Sequence, residues 1–313
     1  MSNRSPAVAV MVLLFSFAAS AAFALNNRSA VSVTGFDTNP CTPASPCRSF
    51  SYAITQTNPG GEIIALDTAG YGPFTIDRVI TVSGAPGVHA AITATSGDGI
   101  VVFVGTSPND RVTIRNLVLI GAGGASGINQ LGARQLRVIG CLVRGFANNG
   151  INQVIDSGAL AVDRTDILDN TSAIGVNVGG ASFATPAATV VTNSLIEGNN
   201  VGVHADSNTN VVVANCTITG SATGVEAVSA TGTGTLTSAV MLENNVIAHN
   251  SIGISVSASG GNNQAYVAIS QNVIAFNATG AVSSGNGEVD SFENNRFAGN
   301  GTDGGPFGFF AFQ

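Results

Sequence analysis

The feature that most limits how this chain can fold is a repeat between Val191 and Ala227. Val191, Asn193, Ile196, Gly202 and Val203 recur as Val213, Asn215, Ile218, Gly224 and Val225, with the internal offsets kept and a shift of 22 residues. The frame extends along the chain. Two residues before the Asn slot stand Ile114, Val138, Val162, Val191, Val213, Leu242, Ile269 and Phe292, all apolar. Three after it stand Leu119, Val143, Ile167, Ile196, Ile218, Ile247, Ile274 and Phe297. The slot itself holds Asn116, Gly140, Arg164, Asn193, Asn215, Asn244, Gln271 and Asn294, and a second Asn follows six later at Asn170, Asn199, Asn250, Asn277 and Asn300. Then comes a Gly-aliphatic pair, as in Gly127-Ile128, Gly150-Ile151, Gly175-Val176, Gly202-Val203, Gly224-Val225 and Gly253-Ile254.

A period of 22 to 29 residues, built from short β-branched runs punctuated by Asn and Gly, predicts a solenoid. Apolar residues alternate instead of recurring at the helical period, and Val211-Val212-Val213 is strand-forming, so helical repeats are excluded. Leucine-rich repeats share the period but need spaced Leu residues that are absent. Each unit therefore reads as one coil of a parallel β-helix with about three short strands, stacked on the next at about 4.8 Å. Asn suits the corners because it tolerates left-handed backbone angles and because stacked amides bond from coil to coil.

The pattern resembles the right-handed parallel β-helix of the pectate-lyase-like superfamily, over roughly Gly61 to Gly304. That resemblance implies an all-β, single-stranded right-handed parallel β-helix solenoid. It leaves activity open, because the superfamily includes polysaccharide lyases, hydrolases and epimerases, tailspikes, adhesins and proteins without known catalysis.

The ends fall outside the repeat. Arg4, the apolar run from Ala7 to Phe17 and the small-x-small site Ala22-Phe23-Ala24 predict a signal peptide over 1–24 and a secreted or periplasmic mature chain without membrane insertion. Residues 25–60 read as an N-terminal cap. Export predicts a Cys41–Cys47 disulfide there. Ser45 as N-cap, Pro46 in the first turn and Phe50, Ala53, Ile54 and Thr57 on one face predict a short helix covering the first coil. The β-helix is expected over 61–304, with an aromatic cap over 305–313. Cys41 through Phe50, with Gly60-Gly61-Glu62-Ile63 and Gly70-Tyr71-Gly72-Pro73, also resembles a leader of exported bacterial β-helix proteins without an assigned reaction, which argues against an enzyme.

A net charge of −7 without a single Lys argues against nucleic acid or anionic lipid as partner. Cys141 and Cys216 lie three coils apart, too far for a disulfide, and read as packed thiols. The polygalacturonase-like acidic motifs and the Asp-Pro-His-Asp pattern of alginate epimerases are missing. Asp163, Asp166 and Asp169 spread across a corner with Arg164 among them and read as a solvated rim, so neither a metal nor a cofactor is expected. The Asn-x-Ser/Thr triplets fall largely on repeat positions and say little about glycosylation.

One outward column is distinctive. The residue after each Gly-aliphatic pair faces solvent, giving Asn129, Asn152, Asn177, His204, Glu226 and Ser255, with Asp206 two beyond His204. Asn152, Asn177, His204, Asp206 and Glu226 form the candidate polysaccharide-contact site; no catalytic residue is assigned. Three readings follow: an exported protein that binds or contacts polysaccharide at the cell surface; a polysaccharide lyase, hydrolase or epimerase; a structural or adhesive module. The sequence sets no oligomeric state.

Overall fold

The computed structural model describes residues 25–105, 107–155, 158–179, 185–230, 236–260, 263–305 and 307–309. The expected signal peptide lies outside them, as does most of the expected aromatic cap. The chain winds through three parallel sheets of twelve, ten and nine strands, visiting each in turn so that every strand pairs with its counterpart one coil away. Register is strict over the repeat: Val191 pairs with Val213, Ile196 with Ile218 and Val203 with Val225.

These columns are the core. Ile92, Leu119, Val143, Ile167, Ile196, Ile218, Ile247 and Ile274 stack along the ten-stranded sheet, each with no exposed surface. Each contributes about 1.5–3 kcal/mol by leaving water. The recurrent glycine has a steric cause: a Cβ on Gly202 would stand 2.4 Å from the Gly224 carbonyl oxygen, and one on Gly253 2.5 Å from that of Gly280. Coil length varies at the third corner, between the nine-stranded and twelve-stranded sheets. There four residues join Gln130 to Gln135, while seven join Gly179 to Ala187.

Corner geometry divides the two tasks that asparagine was expected to share. At the first corner, Asn116, Gly140, Arg164, Asn193, Asn215, Asn244 and Gln271 have φ between 47° and 62°. At the second, the left-handed residues are Gly145, Asp169, Gly198, Gly220, His249, Phe276 and Gly299, each one place before the ladder position. The next residue turns inward and stacks: Asn250 Nδ2 donates to Asn277 Oδ1 at 3.1 Å, and Asn277 Nδ2 to Asn300 Oδ1 at 3.0 Å. Cys141 and Cys216 occupy inward places at the first corner as free, buried thiols, pushed up to about 11 by burial.

The last coil departs from the expected frame. Ile269 pairs with Ser291 and Val273 with Arg296, so four steps in one coil meet five in the next. The extra residue moves the left-handed position to Glu293, seats Ser291 in the core column and leaves Phe292 partly exposed.

At the other end, Cys41 and Cys47 form the expected disulfide. The helix spans Phe50–Thr55 and is capped by Ser49, not Ser45, with the Ser49 side chain accepting from the Tyr52 amide. Cys47 cannot be helical because its amide donates to Ala30 and its carbonyl accepts from Ser32. Asp37 receives the amides of Arg48 and Ser49, which fixes the start of the helix. Phe50 then reaches the first coil, with its ring 4.8 Å from Phe74 and 5.3 Å from Tyr71. Asp67 anchors the same region. Burial would raise its carboxyl, but bonds from Tyr71, Ser32 and the Val33 amide outweigh that and hold it low.

Candidate functional site

The outer face of the nine-stranded sheet is set by alternation. In the strand Val201–Ala205, Val203 and Ala205 point in and His204 points out. Register then lines up Asn129, Asn152, Asn177, His204, Glu226 and Ser255, one residue per coil. The amides form a continuous chain. Asn177 Nδ2 donates to Asn152 Oδ1 at 2.8 Å, Asn152 Nδ2 to Asn129 Oδ1 at 3.0 Å, and Asn129 Nδ2 to the Asp98 carboxylate at 2.7 Å.

His204 and Glu226 continue the column as a pair, with Nδ1 2.8 Å from Oε2 and side chains 16% and 29% exposed. Both therefore remain reachable from solvent, and the imidazole keeps Nε2 as the nitrogen not engaged by Glu226. Asp206 is not drawn into this pair: it follows the strand, and its carboxylate accepts from the Ser207 amide at 2.7 Å. The structure thus brings together Asn152, Asn177, His204 and Glu226 and assigns Asp206 to the adjoining turn.

Sequence reasoning missed Asp98, the foot of this column. The residue in register with Asn129 is Val101, and Asp98 reaches the Asn129 amide from the turn before that strand, so the outward column did not mark it. A second missed feature lies on the outer face of the twelve-stranded sheet. A groove of about 400 Å³ is lined by Gln264, Tyr266, Asn286, Glu288 and Asp290. Tyr266 pairs in register with Glu288, and Asp290 follows two residues on along the same face. Burial, helped by the nearby Glu288 charge, pushes the Asp290 carboxyl up.

The acids of the coil around Arg164 are separated by the corner. Asp163 is held low by the Asn193 amide, with Thr192 and Arg164 adding to it. Among the described residues, no three His, Cys, Asp or Glu side chains converge where a metal ion could sit. No described helix is long and apolar enough to cross a membrane.

Parallel coils, inward aliphatic columns and stacked corner amides define a right-handed parallel β-helix protein. The family model for a right handed beta helix region matches residues 126–266, the most regular part of the solenoid. Among solved structures, the alginate lyase from Paenibacillus sp. str. FPU-7 superposes with a TM-score of 0.67 at 15% identity, over 88% of this chain and 97% of that one. The pectate lyase Pel9A gives 0.52 at 15% identity, over 86% and 69%. The A-module of the Azotobacter vinelandii mannuronan C-5 epimerase AlgE6 gives 0.54 at 13% identity, over 80% and 89%. None of the curated proteins matches the sequence. At these identities the likeness establishes the fold and leaves the chemistry to the site.

Proposed function

We propose that the protein contacts polysaccharide outside the cytoplasm, along the outer face of the nine-stranded sheet. The observation that carries this is the register of Asn129, Asn152, Asn177, His204 and Glu226. It sets one hydrogen-bonding side chain on each coil at steps of about 4.8 Å. Such a ladder matches a polymer that presents hydroxyls at each sugar along its length, because amides both donate and accept. The fold's solved neighbours include proteins named as lyases of pectate and alginate, and the Cys41–Cys47 disulfide fits an oxidising compartment.

The test is glycan binding by the parent protein, His204→Ala and Glu226→Gln, with folding checked by circular dichroism. Loss of binding in both variants is the expected result. Equal binding by all three proteins would move the site elsewhere.

A second reading, a polysaccharide-cleaving enzyme, is favoured by Glu288 and Asp290 beside Tyr266. A carboxyl raised by burial and by a neighbouring charge is the environment of a general acid. Release of reducing ends or unsaturated products by the parent, abolished in Asp290→Asn, would select it over pure binding.

A further inference from the structure

The second corner carries side chains on its left-handed position in three coils, at Asp169, His249 and Phe276. Its left-handed position is glycine at Gly145, Gly198, Gly220 and Gly299, yet His249 and Phe276 adopt φ of 57° there. Asp and His are tolerated in that region, but the ring of Phe276 is strained there, and strain retained on a surface calls for a use. The two rings lie one above the other in adjacent coils, centroids 5.4 Å apart and planes inclined by 11°. They do not serve the core: His249 is exposed and Phe276 is 61% exposed.

The neighbours in this column give the pair a direction. On one side Phe276 lies against Gly299, where a Cβ would meet its ring at 2.7 Å. On the other, Gly220 and Gly198 carry no side chain of their own, and acidic side chains from the preceding coils lie over them. Glu197 Cγ lies 3.9 Å from where a Cβ on Gly220 would stand, and Asp169 Oδ1 lies 2.9 Å from where one on Gly198 would. The corner is thus a strip with an aromatic stack at one end and two carboxylates laid over the glycine coils that follow. It runs about 14 Å along the rod, three coil rises from His249 to Asp169.

We propose that this strip is a second saccharide-contact surface, with a pyranose ring seated on the His249–Phe276 stack and the chain continuing across the Glu197 and Asp169 carboxylates. The C–H face of a pyranose settles on the electron-rich face of an aromatic ring, and carboxylates accept hydrogen bonds from sugar hydroxyls. Because those carboxylates repel a polyanion, the ligand is a neutral polysaccharide, not a uronate. The inference rests on the reading of the protein as polysaccharide-contacting, and it adds a place and a charge class.

The test uses the full chain with galactomannan and xyloglucan as neutral probes and polygalacturonate and alginate as anionic ones. His249→Gly and Phe276→Gly install the residue that other coils already carry. Each is expected to weaken neutral-glycan binding by about tenfold, whereas Phe276→Tyr stays within about twofold of the parent. The melting temperature of the glycine variants should be no lower than that of the parent. Parent-like binding by both glycine variants overturns the proposal, as does preference for the uronates. A lowered melting temperature with binding retained would make the stack a structural brace and overturn it too. If His204→Ala loses binding while the corner variants keep it, only the present inference fails. If the parent binds none of the four glycans, both readings fail.

Discussion

Stacks of asparagine amides run inside both corners, as in Asn245–Asn272–Asn295 at the first, and along an outer face; the second-corner stack and the outer one point in opposite directions. Inside, each Nδ2 donates toward the C-terminal end, from Asn250 to Asn277 to Asn300, and the last donor meets the Asp303 carboxylate at 2.9 Å. Outside, each donates toward the N-terminal end and the last meets Asp98. Both stacks discharge their terminal donor onto an acid. Their other partners differ. The inner amides also bond the main chain: Asn277 Oδ1 accepts the Asn250 amide at 2.9 Å and Asn277 Nδ2 reaches the Ile247 carbonyl at 3.0 Å. The outer amides bond other side chains. An inner asparagine therefore satisfies polar backbone that water cannot reach, while an outer one sits where water can replace it.

The strongest way to break this contrast is Asn277→Ala. It strands the Asn250 amide, one Nδ2 hydrogen of Asn250 and the Ile247 carbonyl, all buried. At about 1–3 kcal/mol for each group, the expected loss is about 4–6 kcal/mol by chemical denaturation. A loss below about 1 kcal/mol would show that the inner stack does not carry the corners.

Phenylalanine repeats the contrast of inside and outside. Phe50, 1% exposed at the start of the helix and stacked on Phe74, should cost about 3–5 kcal/mol when replaced by Ala. Phe276, exposed at its corner, should cost nothing when replaced by Gly. If Phe50→Ala changed stability by less than about half a kcal/mol, the first coil would be closed by something other than this helix.

The smallest effect sharpens the comparison from the other side. Asn152→Ala breaks the outer chain in the middle, yet its neighbours remain within reach of solvent. Unfolding should shift by less than about 0.5 kcal/mol. Glycan affinity should fall nonetheless, and a variant weakened in stability but unchanged in binding would reassign the outer amides to the fold.

Much of this arrangement could be read in the chain. The coil frame, the inward columns, the Cys41–Cys47 bridge and the outward line from Asn129 to Ser255 all follow from period and alternation, because a parallel solenoid brings equivalent repeat positions into register. The helix was legible and its cap was not. Ser45 carries the right side chain, but the bonds of Cys47 to Ala30 and Ser32 keep the backbone extended past it. The column of left-handed residues before each inner Asn had a signal in Gly198 and Gly299, masked by the larger residues at Asp169, His249 and Phe276.

By itself the sequence determined the coil, its core and the face on which each repeated residue falls, since a strand alternates sides whatever surrounds it. Tertiary structure decided which groups meet across coils of unequal length. It joined Asn129 to Asp98, paired His204 with Glu226 while the next turn kept Asp206, and stacked His249 on Phe276. Those partners lie 22 to 31 residues apart or are claimed by a local turn, and only the closed coil fixes distances over such separations.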